Sequence, residues 1–320
     1  MSLQTRRPIR LLPLYPRLTL VLLLLAMVWA GSTQAQLTID QVMTLNLVDA
    51  QDNQLGGLSA LAWDQDEREL YAISDKGYLV RMGIEGSDLS PSIKLISTHE
   101  LNGEQGPLSG KRWRDAEGLG LKNHNNGIRG DSNLWISFER NPRVLVTDNQ
   151  GQWQATADLD DRLSTVANFR SPNSSLEALT GNTDFGWIVG SELGLVDKHP
   201  DLHHISTLDG SKQWFFEPMP YPNSSLTGMA TLDATTILIL ERAFLSQFHP
   251  FYIGVRQLDL KKCDAGTVCE VENLLVMNSR LHGPLDNFEG ITVIDGKVWL
   301  ISDDNFSSNQ KTLLMSLKFE

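Results

Sequence analysis

Apolar and polar positions alternate along most of the chain in short runs that end on acidic or small polar residues. The clearest example is the stretch from Asn287 to Phe306. Two β-branched runs, Ile291–Ile294 and Val298–Ile301, flank Asp295-Gly296, a dipeptide suited to the positive φ values of a tight hairpin. Glu289 enters the first run, and Asp303 and Asp304 leave the second. An antiparallel pair therefore brings Glu289 and Asp303 side by side at one end of the hairpin. The same pattern recurs earlier in the chain. Leu58-Ser59-Ala60-Leu61 leads to Ala72–Asp75, Ala116–Leu119 to Ile136–Arg140, Leu176–Leu179 to Val189–Glu192, and Leu226–Met229 to Ile239–Arg242. The lead-in Pro-Asn-Ser-Ser-Leu precedes two of the copies, at 172–176 and 222–226. Successive copies lie about 50 to 62 residues apart, a period that marks propeller blades or an array.

Further β-rich runs follow each pair, among them Tyr78–Ile84, Val144–Thr147, Tyr252–Leu260 and Thr312–Phe319. Four strands per repeat make a propeller blade, so the chain is expected to be all-β, a single β-propeller of four-stranded blades. The strand near Leu37–Val48 stands ahead of the first repeat, and the last repeat lacks a strand after Phe319. The N-terminal strand is thus expected to complete the final blade and close the ring of five. A sixth blade within the insertions at 101–115 or 243–252 is the alternative. Trp63, Trp135, Trp187 and Trp299 fall at strand positions and read as packing between blades.

The first 35 residues follow another rule. Arg6, Arg7, Arg10 and Arg17 precede an apolar core from Leu18 to Ala30, and Thr33-Gln34-Ala35 offers a small-residue cleavage site. This is the plan of an export signal, and the apolar core is shorter than the ~20 residues of a spanning helix. Residues 1–35 are expected to be a signal peptide and 36–320 the propeller domain of a periplasmic or secreted protein, with an uncleaved anchor as the minor reading. Cleavage removes four arginines and takes the net charge from −12 to −16. So acidic a chain argues against nucleic acid and anionic membrane surfaces as partners, and no membrane contact is expected after cleavage. A monomer acting on a small molecule is expected. The two cysteines, Cys263 and Cys269, bracket a turn sequence. In an exported chain they read as a hairpin disulfide, with a metal pair as the lesser possibility.

Candidate chemistry lies at the strand ends. Glu117, Glu177 and Glu289 share one repeat position with Ser59 and Thr227. Asp75, Glu139, Glu192, Glu241 and Asp303 are read as the matching ends of the neighbouring strands. As many as eight carboxylates would then converge on one channel mouth, where they need protons, a cation or arginine partners. Glu117, Glu177 and Glu289 are the candidate catalytic groups, as ligands or general base. Asp303, Asp304, Glu289 and Asn305 are the candidate metal ligands, and Arg140, Arg242 and Asn287 would bind substrate. Hard oxygen donors favour Ca²⁺, or less so Mg²⁺, over zinc. The competing reading makes the acids structural staples, bonded to blade amides and to Arg114, Arg140 or Arg242. Other motifs fail. Gly110-Lys111 lacks the rest of a phosphate loop, and no Gly-x-Ser-x-Gly elbow occurs. His199, His203 and His204 read as solvated loop histidines, with zinc as the lesser reading.

Several of these segments together resemble a known family. Arg114-Asp115-Ala116-Glu117-Gly118-Leu119, Phe138-Glu139-Arg140-Asn141, Leu240-Glu241-Arg242, Asn287-Phe288-Glu289-Gly290 and Leu300–Phe306 look like the phytase-like family described as "esterase-like activity of phytase". The resemblance covers nearly the whole chain after residue 35. It implies an exported β-propeller acting as a phosphoesterase or esterase. It also implies Ca²⁺, because β-propeller phytases bind phosphate and activate water with calcium in an acidic channel. A Ca²⁺-dependent phosphomonoester hydrolase is the favoured expectation. A metal-dependent lactonase or carboxylesterase and a non-catalytic binding propeller are the alternatives.

Overall fold

A computed structural model describes residues 36–320 except 88, 89, 198, 247, 264–266 and 284. The expected export signal and the turn between the cysteines lie outside the described residues. Gln36–Glu320 form one compact unit. Its strands make five small antiparallel sheets, arranged as a five-bladed β-propeller.

Blade I comprises Leu58–Asp64, Glu69–Ser74, Tyr78–Ser87 and Ser90–Glu100, and blade II Ala116–Lys122, Asn133–Phe138, Arg143–Thr147 and Trp153–Thr156. Blade III comprises Leu176–Asn182, Gly186–Ser191, His203–Thr207 and Gln213–Phe216, and blade IV Ser224–Thr231, Thr236–Ala243, Tyr252–Asp259 and Glu272–Asn278. Blade V comprises Asn287–Ile294, Lys297–Asp303 and Leu313–Phe319, with Leu37–Thr44 as its outer strand. The first strand of the chain is therefore hydrogen-bonded to the last, Leu37 opposite Phe319. The insertion at 101–115 holds a two-residue hairpin, Asn102–Gly103 with Gly106–Pro107, and one helical turn, Lys111–Arg114. Among the described residues neither insertion forms a sixth blade.

Local sequence accounts for the blades. Asp295 and Gly296 both take positive φ, 47° and 78°, and join paired Ile294 and Lys297 in the two-residue turn expected of Asp-Gly. The first two strands of blades I and IV and the first strand of blade III are buried on both faces along nearly their whole length. Their apolar runs pack against adjacent blades. Trp63 and Trp299 share the cluster between blades I and V. Trp135 of blade II stacks on Trp187 of blade III with ring centroids 4.5 Å apart.

One local feature repeats five times and positions the site. Each innermost strand carries a β-bulge at the same place, between Leu58 and Ala60, Ala116 and Gly118, Leu176 and Ala178, Leu226 and Gly228, and Phe288 and Gly290. The unpaired residues are Ser59, Glu117, Glu177, Thr227 and Glu289, the repeat position singled out above. A bulge re-aims the side chain it frees, and four of these five residues, all but Thr227, line the central cavity. The residue after each bulge is Gly or Ala because the next blade's backbone passes beside it. A Cβ on Gly118 would lie 2.6 Å from the amide nitrogen of Leu179, and one on Gly290 2.8 Å from the carbonyl carbon of Ala60.

The Cys263–Cys269 disulfide is formed, with Cα atoms 5.2 Å apart. It lies in the connection between the third and fourth strands of blade IV and ties Cys263 to Val268–Cys269, which pairs in parallel with Phe215 and Phe216 on the outer edge of blade III.

Candidate active site

The bulged residues face a cavity of about 1660 Å³ on the propeller axis. Their partners come from the ends of the second strands. The ladder sets Leu58 opposite Ser74, Ala116 opposite Phe138, Leu176 opposite Ser191, Leu226 opposite Glu241, and Phe288 opposite Ser302. The next residues, Asp75, Glu139, Glu192, Arg242 and Asp303, turn the opposite way and line the cavity. In blade IV the cavity-facing residue is thus Arg242, and Glu241 is not part of the mouth. Matching the repeats by acidic residue slips blade IV by one position, which in a strand exchanges the two faces.

Glu241 is instead a buried staple. Its Oε1 lies 2.8 Å from His203 Nε2 and accepts from the Met219 amide at 2.9 Å and from Ser224 Oγ at 3.2 Å. Its Oε2 accepts from Arg256 at 2.6 Å. Burial alone would raise its carboxyl, but the hydrogen bonds and charges of His203 and Arg256 hold it below the usual range. His203 and His204 are accordingly strand residues of blade III, both buried, and not the solvated loop side chains expected from Pro200 and Asp201 beside them. His204 packs on Phe215 at 5.0 Å between ring centroids.

The mouth itself collects Asp75, Asp115, Glu117, Glu139, Glu177, Glu192, Glu289 and Asp303. Two groups of carboxylates are tight enough to hold an ion: Asp115, Glu117 and Glu139, and Glu139, Glu177 and Glu192, with the oxygens of each group all within 4.8 Å of one another. Glu139 belongs to both. Burial, together with the Glu192 and Asp115 charges, pushes Glu139 up to about 8. Burial likewise drives Glu117 and Glu177 well above the carboxylate range, reinforced at Glu117 by Glu289, Glu139 and Asp115, and at Glu177 by Glu139 and Glu192.

The opposite side, between blades IV and V, carries its own cation. Arg242 donates from one nitrogen to Glu192 at 3.0 Å and from the other to Glu289 at 3.1 Å and to Asn287. Asn287 Nδ2 in turn donates to Glu289 at 2.7 Å. Burial pushes Glu289 up to about 8 despite Arg242, and Asp303 up to about 6, the latter with Asp75 and Asp304 close by. The Asp303 carboxylate accepts from the Asn305 amide at 2.6 Å. Arg140 pairs with Asp115 of the same blade and donates to Asn173.

The sequence-derived ligand set is therefore divided. Glu117, Glu177 and Glu289 meet in one mouth, with Arg140, Arg242, Asn287, Asp303 and Asn305 around them. Asp304 faces away. One of its oxygens accepts from the Gly57 and Phe306 amides, both at 3.0 Å, and the other from Thr312 Oγ1 at 2.9 Å, so it staples blade V to the segment before blade I. None of Asp303, Asp304, Glu289 and Asn305 belongs to either tight carboxylate group among the described residues. Asp115, Glu139 and Glu192 of these groups are not among the sequence-derived candidate ligands, and Asp115 is not among the residues expected in the mouth at all. The signal for it was present: it precedes Glu117 by two residues, as Asn287 precedes Glu289.

The donor set suits a hard divalent cation. Both groups consist only of carboxylates, without His or Cys, which matches Ca²⁺ or Mg²⁺ and not zinc. Asp75 Oδ1, on the same cavity, is buried without a hydrogen-bond partner. Among the described residues no helix is long and apolar enough to cross a membrane.

A family model described as "Phytase-like: Esterase-like activity of phytase" matches residues 53–306. That span begins just before blade I and ends after the second strand of blade V, so it contains every residue of the mouth. No curated protein matches the chain.

Proposed function

The chain belongs to the phytase-like family, and from the mouth it builds we propose a Ca²⁺-dependent phosphomonoester hydrolase. The observation carrying this reading is the pair of three-carboxylate groups that share Glu139. Like charges this close and this buried are costly in the absence of protons or a cation. Asp115, Glu117, Glu139, Glu177 and Glu192 would hold the ion. When bound, it would supply Lewis acidity, polarising a phosphoryl oxygen and lowering the pKa of water.

The remaining roles fall to the chain's own side chains. Glu289 is the general base: with its carboxyl at about 8, close to the working range, it accepts the proton of the attacking water as the P–O bond to the alcohol breaks. Arg242 and Asn287 fix its orientation through their bonds to Oε1. Arg140, which pairs with Asp115 beside the carboxylate groups, would grip the phosphate. Residues 1–35 serve as an export signal, and the protein works outside the cytoplasm as a monomer on a small ester, with no nucleic-acid partner. The carboxylesterase reading rests on the esterase-like activity in the family's description and uses the same base and ion.

Hydrolysis of phenyl phosphate and phenyl acetate, each in excess Ca²⁺ and in chelator, tests the assignment. We expect Ca²⁺-dependent release of phosphate, reduced by about 10²–10⁴-fold in Glu289→Gln, the usual contribution of a general base. Acetate release without phosphate release would move the assignment to carboxylesterase, and no Ca²⁺-dependent turnover of either would overturn it.

A further inference from the structure

The two walls above the acidic floor differ in kind. Phe244 follows Arg242 by two residues and Leu285 precedes Asn287 by two, each just outside the strand that carries the polar residue. Both line the cavity, together with Phe251 and Tyr221. Phe244 is 49% exposed and lies against Phe251, ring centroids 5.9 Å apart. Tyr221 stacks on Tyr252 at 3.8 Å, and the Phe244 carbonyl accepts from Asn223 at 3.2 Å. The result is a braced apolar wall rising directly from the cluster of Arg242, Asn287 and Glu289. An exposed apolar surface of this kind beside a polar floor marks a place for an apolar ligand group.

The charge on the rest of the lining restricts the ligand further. The cavity is lined by four basic residues against eleven acidic ones. Arg170 pairs with Asp201 at 3.3 Å and Arg242 with Glu192 and Glu289, so Arg140 is the arginine left to meet an anionic head. One anionic head can be met by the floor and its ion. A body bearing several more phosphates would face uncompensated acids.

We infer that the substrate is a monoester with a single anionic head and an apolar aromatic or branched aliphatic body, the body lying against Phe244, Phe251, Tyr221 and Leu285. This inference rests on the phosphomonoesterase reading and narrows it away from polyphosphorylated substrates. Phe244 and Leu285 are then the residues that set specificity.

Titration calorimetry of the Ca²⁺-loaded protein with phenylphosphonate and with methylphosphonate tests this without turnover. Phenylphosphonate is expected to bind at least about tenfold more tightly, a difference of about 1.4 kcal/mol. Phe244→Ser should reduce that ratio to about twofold or less, and Leu285→Ser should lower it in part. Equal affinity for the two ligands in the wild type, or an aryl preference that survives in both variants, would overturn this inference alone. Binding of neither ligand would overturn it together with the reading beneath it.

Discussion

Glu241 and Glu139 stand at the ends of equivalent strands in blades IV and II, one residue apart in register, and both are buried. Glu241 is surrounded by donors and positive charge: His203, Arg256, the Met219 amide and Ser224. Glu139 accepts from the Ser175 amide at 3.2 Å but otherwise faces other acids, Glu177, Glu192 and Asp115. The same residue type thus serves as a closed staple in one blade and as a member of a carboxylate cluster in the other. Burial alone does not separate the two roles; what the carboxylate meets does. A buried charge with its partners in place is a structural element, whereas a cluster of buried like charges awaits protons or a cation.

Removing one carboxylate from each region separates them most sharply. Glu241→Gln should cost roughly 3–5 kcal/mol, because it leaves the buried Arg256 without its counter-charge. Urea unfolding should show that loss equally in Ca²⁺ and in chelator. Equal stability of variant and wild type would mean that Glu241 is not a staple.

Glu139→Gln should behave in the opposite way, with little loss in chelator, since it removes one of several repelling acids. A bound ion stabilises the wild type by about 2.7 kcal/mol at 100 times its dissociation constant. Glu139→Gln should abolish most of that gain, because Glu139 serves both carboxylate groups. A wild-type melting temperature indifferent to Ca²⁺ would return the whole mouth to the staple reading.

A pH dependence in chelator completes the comparison. Glu139 and Glu289 titrate near about 8 and Asp303 near about 6 in the folded protein, each above its ordinary value of 4.5 or 3.8. Between the unfolded and folded values the native state holds the extra protons, so stability falls as pH rises. This contribution should be fully present below about pH 4, decline through pH 8 and then level off. Excess Ca²⁺, which favours the ionised carboxylates, should flatten the decline. Thermal melts across that range, with and without Ca²⁺, provide the comparison, and a stability that rises from pH 5 to 8 in chelator would contradict it.

Much of this architecture is legible in the sequence because it is periodic. Apolar runs of fixed spacing, Asp295-Gly296, the small residue after each bulge, the tryptophans between blades and the close pair Cys263 and Cys269 each follow from local rules that act within one blade. Ser59, Glu117, Glu177, Thr227 and Glu289 align without any structure. The contents of the mouth are not legible in the same way. Asp303 and Asp304 are neighbours in sequence, yet one faces the cavity and the other staples blade V, because successive strand residues point to opposite faces. Glu241 and Arg242 exchange roles for the same reason: residue type suggests the glutamate, while the ladder register selects the arginine. Glu139 of blade II and Glu177 and Glu192 of blade III are far apart along the chain, and only the packing of those blades decides that their oxygens lie within 4.8 Å. Periodicity is a local property and can be read along the chain. The partner of each carboxylate is a property of how the blades are packed, and the tertiary structure alone determines it.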